Sequence, residues 1–143
     1  MTFAEDAIIR FPKGLPGFPD ETRFLLIEQP VNAPLLFLQS LNRSDLCFLA
    51  TPAPAICPEF HLSIGAEDLS VIGLPEDRQP AAGKDVLCLA LITLSEDKRP
   101  AANLLAPVLI NWRNHTGVQA IQVESGYSHT HPIFAEREVA PCS

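Results

Sequence analysis

Prolines and glycines punctuate this chain so densely that long helices have no room. Its 143 residues hold 14 prolines and 7 glycines, spread over most of the length. Proline locks φ and lacks an N–H, and glycine loses the most backbone freedom on ordering, so each tends to end a regular element. The runs between them are short and rich in aliphatic and aromatic residues, a strand pattern. Strands are expected over 7–11, 23–28, 35–41, 46–51, 59–64, 86–94, 107–111 and 118–123. Continuous apolar runs such as Phe24-Leu-Leu-Ile27 fit strands buried on both faces, or on one face with an aliphatic exterior. Gln119 and Gln122 do not alternate cleanly, so that strand's register stays open. Residues 113–117 read as a hairpin turn closing at Gly117. One helix is expected over 65–72, with Glu67 and Asp68 in its first turn, Ser63 or Gly65 as its cap, and Gly73 past its end. A second short turn of helix is expected over 99–104, and 74–84 reads as an exposed connector. The expectation is an all-β fold: a small antiparallel β-barrel or sandwich-like single domain over 1–143, with one or two short helices.

A chain of this length buries roughly 68–70% of the surface its unfolded form exposes, so it needs no metal or disulfide to fold. Apolar residues make up 47% and charged residues 19%, a globular composition. No apolar run approaches the ~20 residues of a membrane helix. The first residues lack the basic and apolar regions of a secretory signal, which places the protein in the cytoplasm. Cys47, Cys57, Cys88 and Cys142 form no CxxC pair and are expected as free thiols. The net charge is −7, from 10 Lys+Arg against 17 Asp+Glu. That sign opposes direct nucleic-acid binding and favours encounter with a basic protein, although on charge alone ordinary acidic solubility is the better explanation.

No catalytic constellation emerges. There is no GxSxG, GxGxxG or GxxxxGK[ST]. Glu67-Asp68, Glu76-Asp77 and Glu96-Asp97 are sequence neighbours, which do not face each other on a helix or strand, so they read as solvated charges. His129 and His131 fall on one face of a strand, a possible metal pair, but no third ligand is near in sequence. Polar surface or a packing hinge is the simpler reading, and no cofactor is expected.

Three runs stand out instead. In Phe11-Pro-Lys-Gly-Leu-Pro-Gly-Phe18, Pro16 presets the first central position of a type II turn and Gly17 supplies the positive φ of the second. Phe11 and Phe18 flank the turn and can pack near one another. The run reads either as a loop anchored by aromatics or as a rigid recognition surface, which loses little entropy on binding. In Asn103-Leu-Leu-Ala-Pro-Val-Leu-Ile-Asn111, Pro107 belongs at a strand start or edge, and an Asn at each end can satisfy loose backbone groups. The stretch reads as a core strand with polar ends, or as an edge that a partner strand can join. The third run is Ser125-Gly-Tyr-Ser-His-Thr-His-Pro-Ile133.

Together these resemble the FliW family of flagellar assembly factors. The first run resembles its opening FPxGxPGF, Leu38-Gln-Ser-Leu41 its LQSL strand, Ala102–Asn111 its TANLxAPIxIN, and Ser125–Ile133 its closing SxYSxxHPI. Order and spacing also agree, over about residues 7–134. The resemblance implies a cytoplasmic all-β protein that is not an enzyme. It implies two partners, flagellin and the small basic RNA-binding regulator CsrA. Held by a FliW protein, CsrA cannot repress flagellin translation, and free flagellin competes for FliW. Binding is implied to lie off the RNA site of CsrA and to act partly by placing negative charge near it. A dedicated flagellin chaperone is the alternative, and a small metal- or ligand-binding barrel a more distant one. The motif-matching positions expected to carry partner binding are Phe11, Gly14, Leu15, Gly17, Phe18, Asn103, Ala106, Pro107, Asn111 and Tyr127. Two departures stand out. The family has a further strand with a Phe-Gly pair where only Met1–Asp6 stand here, so either the start codon is misplaced or one strand is absent and an edge is exposed. Ala101 also replaces the usual Thr ahead of Ala102-Asn103.

Overall fold

The computed structural model describes residues 8–29, 31, 34–94, 99–122 and 126–133. In chain order these form β1 (Ile8–Arg10), β2 (Arg23–Glu28), β3 (Leu36–Ser40), β4 (Cys47–Pro52), α1 (Ala53–Ile56), α2 (Ala66–Val71), β5 (Leu87–Leu94), β6 (Pro100–Ala102), β7 (Val108–Asn111), β8 (Thr116–Gln119) and β9 (His131–Pro132). Strands β4, β3, β2, β1, β8, β7 and β5 are neighbours in that order, and β4 pairs again with β5. That last ladder closes seven strands into a barrel, which removes most of the free edge an open sheet would leave. The far half of β5 continues into a small side ladder with β6 and β9. All ladders between these strands are antiparallel except one, the single parallel pairing of Arg10 with Thr116 that joins β1 to β8.

Continuous apolar strands arise because β5 and β7 are covered on both faces. Alternate residues Leu89, Leu91, Val108 and Ile110 point into the barrel, where they meet Ile9, Phe11, Phe24, Leu36 and Leu38. The residues between them, Cys88, Ala90 and Leu109, point outward into a second core with Leu69 and Ile72 of the α2 region and with Phe60, Leu62 and Ile64. Period-two alternation therefore sends each strand's apolar residues to two different cores. On β3 the same period leaves Leu36, Leu38 and Ser40 buried and Phe37 and Gln39 partly exposed.

Six of the eight expected strands are present with ends shifted by a few residues at most, and 118–123 appears earlier in the chain as β8. Residues 59–64 pair with no strand. Their backbone is satisfied by side chains instead: Gln79 Oε1 accepts from Ile64 N at 2.6 Å and its Nε2 donates to Ile64 O at 2.9 Å. Gln122 Oε1 accepts from Ser63 N at 2.8 Å. The expected helical turn over 99–104 is β6, recruited by Ile92, Thr93 and Leu94. The expected helix is present, with Gly65 at its N-cap and Gly73 at φ +73° just beyond it. Helix α1 was not anticipated; it carries Pro54 in its first turn, where the missing N–H leaves no bond unmade. In the β7–β8 hairpin the positive φ falls on His115, at 52°, while Gly117 lies within β8.

The expectation of four free thiols is corrected at Cys57, which is disulfide-bonded. Cys57 is buried at the end of α1, and a disulfide follows proximity in space, for which sequence spacing gave no signal. Cys47 and Cys88 are free. Cys142 and residues 1–7, on which the expectation of an exposed edge falls, lie outside the described residues. β1 itself has a neighbour on each side, β2 and β8.

Candidate functional site

The loop after β1 is built from two successive turns. Gly14 N donates to Phe11 O at 2.8 Å, closing the first. Phe18 N donates to Leu15 O at 2.8 Å, closing the second, with Gly17 at φ +81° in the position a type II turn reserves for it. Gly14, at φ +70°, admits no side chain: a Cβ there would lie 2.2 Å from Phe18 O. Gly17 faces open space.

Phe11 and Phe18 do not stack on each other; they end a row of four rings. Phe11 meets Phe24 edge-on at 5.6 Å, Phe24 meets Phe48 at 6.0 Å, and Phe48 meets Phe18 at 6.2 Å. The row runs from the barrel interior to the surface. There the Arg43 guanidinium covers Phe18, 5.1 Å from its ring centre. Arg43 also bonds Asp45 at 3.2 Å, and this bond together with the guanidinium charge holds the Asp45 carboxyl below its ordinary range. On the other side Lys13 reaches α2, with Glu67 at 3.3 Å and Asp68 at 3.7 Å. These are surface ion pairs, which contribute little to stability.

The structure brings Phe11, Gly14, Leu15, Gly17 and Phe18 together in this loop. Phe11, Gly14 and Leu15 are buried, Phe18 is half-buried, and Gly17 is exposed. The surface the loop offers comes largely from residues that were not expected to carry partner binding: Pro12, Lys13, Pro16, Pro19 and Asp20, all exposed. Their order as loop tip was implicit in the turn chemistry, but their exposure was not.

The other candidates lie elsewhere. Asn103 Oδ1 accepts from Ala106 N at 2.9 Å, making the turn that feeds Pro107 into β7. Ala106 and Pro107 are buried. Asn111 is buried at the far end of β7, where its Nδ2 donates to Ile72 O at 2.8 Å and its Oδ1 accepts from Arg113 N at 3.0 Å. The two amides thus satisfy backbone groups, as expected of polar strand ends. β7 is paired on both sides, so it offers no free edge to a partner strand. Tyr127 lies over Phe60 at 4.7 Å, and its Oη accepts from His61 N at 3.3 Å.

His129 and His131 do not share an environment: His129 is exposed, and His131 is buried in β9 opposite Ala102. Burial pushes the Cys88 thiol up to about 12 and raises that of Cys47, which disfavours the thiolate a nucleophile needs. Among the described residues no group of three His, Cys, Asp or Glu side chains is placed to hold a metal. No helix among them is long and apolar enough to cross a membrane.

Comparison with known proteins agrees with this architecture. The family model described as FliW protein matches residues 1–133. The flagellar assembly factor FliW of Syntrophomonas wolfei is 34% identical over 135 residues, covering 94% of this chain and 83% of that protein. The protein of the same name from Bacillus subtilis is 26% identical, covering 95% of this chain and 92% of its own length. A solved structure, described as the crystal structure of the flagellar assembly factor FliW, superposes with a TM-score of 0.79 at 27% identity, covering 96% of this chain and 93% of that one. A closed barrel with this loop and this strand order, matched across nearly its whole length, belongs to the FliW protein family.

Proposed function

We propose that this chain is a cytoplasmic, non-enzymatic regulator of flagellar assembly that binds a CsrA-type translational regulator and antagonises it, in competition with flagellin. Family membership is the observation that carries the reading, since the relatives bear the name flagellar assembly factor. The two partners are those the motif resemblance implies. The net charge of −7 supports the first, because it speeds encounter with a basic protein and opposes RNA near the complex. The loop of residues 11–18 is the proposed contact surface: its turns are fixed by proline and glycine, so little freedom is lost on binding. Gly14, Leu15, Gly17 and Phe18 shape it from within.

The test is a titration of the folded protein with the CsrA and the flagellin of the same genome, separately and in competition. Micromolar or tighter binding of both, with flagellin displacing CsrA, is the expected result. Binding of flagellin alone would favour the reading as a dedicated flagellin chaperone. Failure to bind either would overturn both readings.

A further inference from the structure

Three of the chain's 10 lysines and arginines, Arg78, Lys84 and Arg113, line a single cleft of about 340 Å³ beside the β7–β8 hairpin. In a chain of net charge −7 this is a local reversal of sign. All three are exposed, and among the described residues none of them makes an ion pair. Asp85 also lines the cleft, but its Oδ2 accepts from Ala81 N at 2.8 Å. The lining therefore holds an excess of positive charge with no acceptor assigned to it. Asn111 contributes to the wall, and its amide is locked by its bonds to Ile72 and Arg113.

A second hollow of about 210 Å³ adjoins the first and shares Lys84, Asp85, Asn111 and Arg113 with it. Its distinguishing residue is Trp112, which is 45% exposed, with its ring edge-on to His115 at 5.7 Å. An accessible tryptophan next to unpaired cations suits a ligand with a negative group beside an apolar one.

We propose that this cleft binds an acidic peptide segment, its carboxylates on Arg78, Lys84 and Arg113 and a neighbouring apolar side chain against Trp112. Guanidinium forks pair with carboxylates in a bidentate manner, and three cations around one cleft can each take one or share two. Two observations disfavour a phosphate ligand. The helix end at the cleft is the C-terminal one, marked by Gly73, which lacks the free N–H groups that bind phosphate. The acidic chain also repels an extended polyanion. The cleft shares no lining residue with the loop of residues 11–18, and the proposal does not depend on the partners named above.

Trp112 is the only tryptophan, so its emission reports on this site directly. The full chain would be titrated at low salt with a blocked, alternating leucine–glutamate hexapeptide, with its leucine–glutamine counterpart, and with ATP. The glutamate peptide is expected to give a saturable change in emission. The glutamine peptide, high salt, and the double substitution Arg78→Glu with Arg113→Glu are each expected to weaken binding about tenfold or more. The substituted side chains are exposed, so the melting temperature should hold; Lys84→Gln gives a milder variant with a smaller loss in the same direction. No saturable change with the glutamate peptide, equal affinity for the glutamine peptide, unaltered binding by the double variant, or binding of ATP in place of the peptide would each overturn the proposal.

Discussion

Gly117 of β8 lies against the ring of Phe11: a Cβ at position 117 would sit 2.4 Å from Phe11 Cε1. The contact is between the motif loop and the strand that pairs with β1. Phe11 is fully buried and cannot swing outward without leaving Phe24. Gly117→Ala should therefore destabilise the fold by about 1–3 kcal/mol, the usual cost of overpacking a core. A urea titration reads this as a lower midpoint with an unchanged slope. An unchanged midpoint would mean that the Phe11 ring gives way freely.

The two loop glycines should respond differently to the same substitution. Alanine at Gly17 meets no atom and suffers only the left-handed backbone, a cost of about 1–2 kcal/mol. Alanine at Gly14 adds a collision with the backbone oxygen of Phe18, which no rotamer relieves. Thermal denaturation should rank Gly14→Ala well below Gly17→Ala. Gly17→Val is a harsher test of function, since a β-branched residue is poor at φ +81°. It should weaken partner binding more than it weakens the fold. Equal melting temperatures for the two alanine variants would contradict the turn geometry.

Turn chemistry of this kind was legible from the start. Leu15-Pro16-Gly17-Phe18 specifies its own conformation, and so does the acid-rich first turn of α2 ahead of Gly73. Strand β2 was expected and found over the same residues. What escaped was structure made by distant partners. Residues 59–64 have a strand's composition, yet their hydrogen bonds go to Gln79, Gln122 and Tyr127, far along the chain. β6 exists because β5 runs on beyond the barrel, and β9 because β6 leaves an edge for it. At the candidate site, the expected contact residues are mostly those that shape the loop, while Pro12 and Pro16 of the same motif, with Pro19 and Asp20 beyond it, face solvent. The charged cleft was invisible for the same reason as the disulfide: residues 78, 84 and 113 meet only in space.

Asn111 and Asn114 both donate to the carbonyl of Ile72, at 2.8 and 3.0 Å. Asn111 is buried, so Asn111→Ala should cost about 1–3 kcal/mol. Asn114→Ala should cost less, because Asn111 still holds the carbonyl. The double variant should lose more than the sum, since each amide backs up the other. Chemical denaturation of the two single variants and the double variant measures the coupling. Strict additivity would show that the shared carbonyl is satisfied in another way.

His131 gives the fold a pH dependence of definite sign. Burial holds its imidazole below the ordinary range, so the unfolded chain takes up the proton first. Its contribution is fully present above the unfolded value of about 6.5 and is lost as pH falls toward the lower folded value. Melting temperatures should therefore fall from about pH 7.5 to about pH 5.5, and His131→Gln should reduce that fall. An identical pH profile in the variant would remove His131 as its source.

The proposed role of this acidic barrel is to restrain a CsrA-type regulator. Calorimetric titration of the folded protein with that regulator, at low and at moderate salt, tests it most directly. Micromolar or tighter binding that weakens as salt rises is the expected result. Absence of binding at both salt concentrations, by protein shown to be folded, would contradict it.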